Sequence, residues 1–82
     1  MTHKADLKTG IVLQRLRKRA GISQETLAER VGVSAQQIQK YEKGQNRVSV
    51  GRLFDIAEVL GTMPGVIIDL VQRELEIDRN VL

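Results

Sequence analysis

The sequence predicts an all-α domain of five helices, and three observations predict it. Glycine, serine and proline recur at regular intervals along the 82 residues, and the apolar residues between them repeat with a helical period. No run alternates apolar and polar residues as a half-buried strand would. Gly21 precedes Ser23, Gly32 precedes Ser34, Gly44 comes before Ser49, and Gly61 comes before Pro64. Glycine closes a helix in the left-handed conformation, a serine oxygen caps the next one, and proline fits a first turn.

These breaks place helices at 8–20, 24–31, 35–43, 50–60 and 64–78. With residues set about 100° apart around each axis, each of the first four shows one apolar stripe. Val12, Leu13, Leu16 and Ala20 form the first, Leu27, Ala28 and Val31 the second, and Ile38 with Tyr41 the third. The fourth helix contributes Val50, Leu53, Phe54, Ala57 and Leu60. Four such stripes are hidden only by packing the helices on one another.

The fifth helix, in "PGVIIDLVQRELEIDRNVL", is apolar on two sides: Ile67, Ile68, Val71 and Leu75 on one, Val66, Leu70, Ile77 and Val81 on the other. Two readings are open. A short tail folds both stripes onto its own domain, or the spare surface meets a second chain through Val66, Ile67, Leu70, Val71 and Leu75. The small core of so short a chain favours the homodimer. Residues 1–6 are expected to be a flexible N-terminus and 62–82 the dimerisation element.

Composition narrows the function. There is no cysteine, hence no disulfide frame, thiolate metal site or cysteine nucleophile. No apolar run approaches the roughly 18 residues of a membrane span, and the N-terminus lacks a leader pattern, so the chain is expected to be soluble and cytoplasmic. A formal net charge of +3 and an isoelectric point near 9.7 permit nucleic-acid binding without demanding it. Tyr41 and Phe54 are the two aromatic residues, too few for a platform that stacks unpaired bases. His3, the single histidine, lies in the loose terminus and reads as a bystander. Ser23, Ser34 and Ser49 are helix caps with no accompanying base, and the acidic residues of the last two helices fall at solvent-face spacing. The expectation is no enzyme, no metal and no cofactor. Arg15, Arg17, Lys18 and Arg19 read either as a phosphate track or, more commonly for such a run, as a solvated helix face.

The stretch "VGVSAQQIQKYEKGQNR", residues 31–47, is the informative one. With Ile38 facing the core, Gln36, Lys40 and Lys43 fall near the opposite side, and Gln37 and Gln39 flank them. Ser34 and Gln37 match the S-x-x-Q capping box. A glutamine amide carries a donor and an acceptor side by side, which match adenine N6 and N7 in the major groove, while lysine reaches guanine O6 and N7 or a phosphate. A plain polar solvent face is the alternative for any one such helix. Ala28, Gly32 and Ile38 shift the balance, because they stand at helix-turn-helix spacing: a small contact residue, a turn glycine and an apolar anchor.

Here the chain resembles the lambda-repressor-like, or XRE/Cro, family of DNA-binding domains. The segment "SQETLAERVGVSAQQIQKYEKGQNRVSVGRLFDIAEVLG", residues 23–61, carries its S-Q-x-x-L-A, V-G-V-S, I-x-x-Y-E-x-G and L-x-x-I-A-x-x-L-G patterns in register. The resemblance implies a compact five-helix domain with the helix-turn-helix formed by helices 2 and 3, its DNA-binding part spanning 7–61. It implies base reading from Ala35, Gln36 and Lys40, with Gln37 and Gln39 nearby. At Ala35 many relatives carry a longer polar side chain, and alanine offers only a methyl group. Phosphate contacts are implied for Gln24, Lys43, Asn46 and Arg47, and a structural ion pair for Arg17 with Glu42. The function expected is a sequence-specific regulator of transcription on double-stranded DNA, acting as a repressor and, from the spare apolar surface of the fifth helix, as a dimer. The alternative on the same scaffold is an antitoxin-type, protein-binding module that also regulates its own operon.

Overall fold

The computed structural model describes residues 2–80. It contains α1 (Lys4–Arg19), α2 (Gln24–Val31), α3 (Ala35–Glu42), α4 (Val50–Leu60) and α5 (Pro64–Asn80), with no strand among the described residues. The serines at three of the helix starts cap as the sequence predicts. Ser23, Ser34 and Ser49 each accept a backbone N–H from three residues on, at 3.0 Å. None of the described helices is long and apolar enough to cross a membrane.

The start of α1 departs from expectation. Lys4, Ala5 and Asp6 are helical rather than loose, because the Nδ1 of His3 accepts the Ala5 N–H at 2.9 Å. An unprotonated ring nitrogen does here what a serine oxygen does elsewhere, so His3 is a cap and not a bystander.

Val12, Leu13, Leu27, Ala28, Ile38, Tyr41, Leu53, Ile56, Ala57, Ile67 and Val71 form one buried core. Helix α1 packs against α3 and α5, α2 against α3 and α4, and α4 against α5. The α4 stripe is rotated from the expected one: Leu53, Ile56, Ala57 and Leu60, at i, i+3, i+4 and i+7, face inward. Phe54, one residue off that stripe, is 58% exposed, and Val50 stands in solvent at the first turn. Ala20 is likewise exposed, since α1 ends at Arg19 and Ala20 only caps it.

Helix α5 belongs to this core. Ile67 and Val71, expected at a partner interface, are sealed inside, where each large aliphatic group contributes about 1.5–3 kcal/mol of burial. The α1 and α4 faces need a cover, and those two residues supply it. Two ion pairs at the rim join α5 to α1: Lys8 Nζ to Asp78 Oδ2 at 2.9 Å and Arg15 Nη2 to Glu74 Oε1 at 3.4 Å. The order of these pairs along the two helices makes α1 and α5 antiparallel. Val66, Ile68 and Ile77 remain exposed, and Leu70 and Leu75 are half-buried. Val81, placed on the second stripe, lies outside the described residues.

Candidate nucleic-acid interface

The site is built on α3, and two backbone details set where that helix stands. Gly32 turns the chain out of α2 at φ +90°, and the N–H groups of Gly32 and Val33 both donate to the carbonyl of Ala28. Apart from its chain neighbours, no heavy atom of the described residues lies within 4 Å of a Cβ placed on Gly32, so its positive φ accounts for the glycine. On the other side, Gly10 brings α1 against the end of α3. A Cβ on Gly10 would stand 2.6 Å from the Glu42 carbonyl oxygen and overlap that of Tyr41 as well.

Helix α3 is pinned from within. Ile38, Tyr41 and Glu42 are buried, and Glu42 is held by charge as well as by packing. Arg17 donates from Nε to Glu42 Oε2 at 2.6 Å and from Nη2 to Oε1 at 3.1 Å, while its Nη1 donates to the Ile22 carbonyl at 2.8 Å. Its pKa is raised above the ordinary arginine value, chiefly by the hydrogen bond to Glu42, against burial that pulls the other way. The guanidinium therefore stays charged at any working pH. Gln24 Nε2 completes the carboxylate's shell with a bond to Oε1 at 2.9 Å. No buried side-chain nitrogen or oxygen among the described residues lacks a partner.

With one side fixed, the other is determined. Gln36, Gln39, Lys40 and Lys43 are exposed and stand at i, i+3, i+4 and i+7, a single outward stripe. Ala35 and Gln37 are half-buried beside it. Gln37 takes the Ser34 cap with its backbone N–H; its side-chain amide makes no hydrogen bond among the described residues. Asn46 and Arg47 are exposed in the loop that follows. Gln24, expected to face a phosphate, is half-buried with its amide nitrogen on Glu42, leaving one N–H of that nitrogen unengaged. The bond from Gln24 to Glu42 is tertiary and left no trace in residue spacing. The same holds for an ion pair between Arg47 Nε and Asp6 Oδ2 at 3.6 Å.

Two short helices joined by a three-residue turn, the second anchored inside and presenting amides and cations outside, define a helix-turn-helix domain. A family model described as helix-turn-helix matches residues 13–66. An uncharacterized transcriptional regulator in the ATPase CF(0) region of Rhodospirillum rubrum is 52% identical over 58 residues, covering 71% of this chain and 54% of that protein. Among solved structures, the restriction-modification controller protein C.AhdI from Aeromonas hydrophila superposes with a TM-score of 0.72 at 34% identity, covering 74% of this chain and 92% of that one. The clp gene regulator ClgR from C. glutamicum, at 23% identity and a TM-score of 0.82 over 85% of this chain and 91% of its own, shares the fold. The chain belongs to this helix-turn-helix family, of the lambda-repressor-like, XRE/Cro kind. It spans about half the length of the curated relatives it matches.

Proposed function

We propose that this chain is the DNA-binding part of a cytoplasmic transcriptional regulator, without enzymatic activity, that reads the major groove with α3 and represses by occupying a promoter. The observation that carries the reading is the outward stripe of Gln36, Gln39, Lys40 and Lys43 on a helix whose inner side is locked by Ile38, Tyr41 and Glu42. Gln36 and Lys40 read base edges, Gln37 and Gln39 contribute at the flanks, and Ala35 offers its methyl group to a thymine methyl. Lys43, Asn46 and Arg47 contact phosphates, and Gln24 adds its remaining amide N–H at the positive end of α2.

The active species in this proposal is a homodimer. A single reading helix contacts few base pairs, whereas a two-fold pair reads half-sites roughly 34 Å apart and adds their energies. The second copy meets apolar residues that the fold leaves exposed on one side, Ile68 of α5 with Val50 and Phe54 of α4, beside the half-buried Leu75. Val50, Ile68 and Leu75 line one shallow groove of about 320 Å³, shared with Ala5, Asp6 and Thr9 of α1, which supports treating α4 and α5 as one surface there. Selection of bound duplexes from a random DNA pool tests the function. A recovered inverted repeat supports the reading, and a pool that stays random overturns it. Sedimentation tests assembly: a species of 9.2 kDa at micromolar concentration rules the dimer out.

A further inference from the structure

Of the cations on α3 and the loop after it, Lys40 and Lys43 form no salt bridge among the described residues, but Arg47 does. Its partner, Asp6, is far away in sequence and is carried on the first turn of α1. The α1 backbone is packed so closely there that a Cβ on Gly44 would stand 3.1 Å from the Cα of Leu7. The two partners differ in freedom. Asp6 has a quarter of its side chain exposed, and Arg47 has 85%. At 3.6 Å, with no hydrogen bond from Arg47 among the described residues to direct it, the contact is coulombic and leaves the guanidinium open to solvent.

We propose that Asp6 is a further residue of the DNA interface, one that competes with phosphate for Arg47 and so limits the affinity for the backbone of any duplex. The proposal rests on the reading of the α3–α4 loop as a phosphate contact. A phosphate seated on Arg47 comes within about 6 Å of the Asp6 carboxylate, where two like charges in a water-like dielectric repel enough to change affinity about threefold. The effect fades with salt, because the screening length is about 10 Å at 0.1 M.

The test measures binding of the whole chain to its selected site and to a random duplex of the same length, between about 50 and 200 mM salt. Asp6→Asn is expected to tighten binding to both duplexes by about threefold at the low end, and to steepen the fall of log affinity with log salt. In an Arg47→Ala background the same substitution should change nothing. Glu58→Gln removes an equal charge from the exposed side of α4 and should leave affinity unaltered. Weaker binding by Asp6→Asn would make Asp6 an orienting residue and overturn the competition. Equal tightening by Glu58→Gln, or tightening that survives Arg47→Ala, would reduce it to overall charge. No binding of any duplex by the unmodified chain would fail the functional reading itself. Unmodified binding that Asp6→Asn leaves unchanged would fail this inference alone. Thermal melting followed by circular dichroism establishes that each variant is folded, and sedimentation establishes that Asp6→Asn, at a residue that also lines the groove between α4 and α5, leaves assembly as in the unmodified chain; a shift in assembly that accounts for the change in affinity would overturn the competition.

Discussion

Helices α3 and α5 each carry more of one character than the monomer uses, and the two excesses are opposite. In the eight residues of α3, Ile38, Tyr41 and Glu42 do the internal work, and what remains outside is polar: Gln36, Gln39 and Lys40. In the 17 residues of α5, Ile67 and Val71 do the internal work, and what remains includes Val66, Ile68 and Ile77. Burial explains the inner side of each helix equally well. The surplus on the outer side is where they differ: amides and cations, the groups that pair with groove edges and phosphates, on α3, and aliphatic side chains, the groups that another apolar surface covers, on α5.

The largest expected effect falls on the inner side of α3. Arg17→Ala leaves the Glu42 carboxylate buried without its cation and should cost about 3–5 kcal/mol in urea unfolding. A fully stable variant would show that α3 is held by packing alone. On the inner side of α5, Ile67→Ala should cost about 2–5 kcal/mol through lost burial and the cavity left behind. A loss below 1 kcal/mol would return α5 to the status of an appendage.

The outer sides separate the two helices further. Gln36→Ala should cost about 1–3 kcal/mol on the selected site and much less on random DNA, as a filter-binding comparison would reveal. Equal losses would mean that Gln36 is not a reader. Lys43→Ala should weaken both DNAs alike and flatten the salt dependence by about one unit; an unchanged slope would take Lys43 out of the interface. The smallest effect on stability belongs to Ile68→Asp, expected within about 0.5 kcal/mol at a site 53% exposed. Its effect should appear in assembly instead, as a shift to monomer in sedimentation. Next to Ile67, one residue away and 0% exposed, it sets the two sides of α5 against each other within one peptide bond.

What the residues disclosed in advance was local. The serine caps and the Gly32 turn depend on neighbours in the chain, and the outward stripe of α3 follows from helical period once Ile38 is set inward. What stayed hidden depends on other elements. Val50 and Phe54 share a plausible stripe with Leu53, but α2 and α5 meet α4 on the side of Ile56, which periodicity alone does not select. Ile67 and Val71 look no different in sequence from residues that would face a partner; only the antiparallel packing of α5 on α1 turns them inward. His3 was missed because histidine is an uncommon cap. The bond from Gln24 to Glu42 and the approach of Asp6 to Arg47 join residues that only the folded chain brings together.

Gly10 gives this architecture a fixed gauge. Because α1 and α3 meet there main chain to main chain, a single added carbon would force α3 back by most of an ångström before ordinary contact was restored. A working constellation tolerates about 0.5 Å. The depth at which α3 stands out from the domain is thus set by peptide atoms, which are the same whatever side chains surround them. Core residues can exchange volume and outward residues can exchange chemistry, while the projection of α3 stays constant.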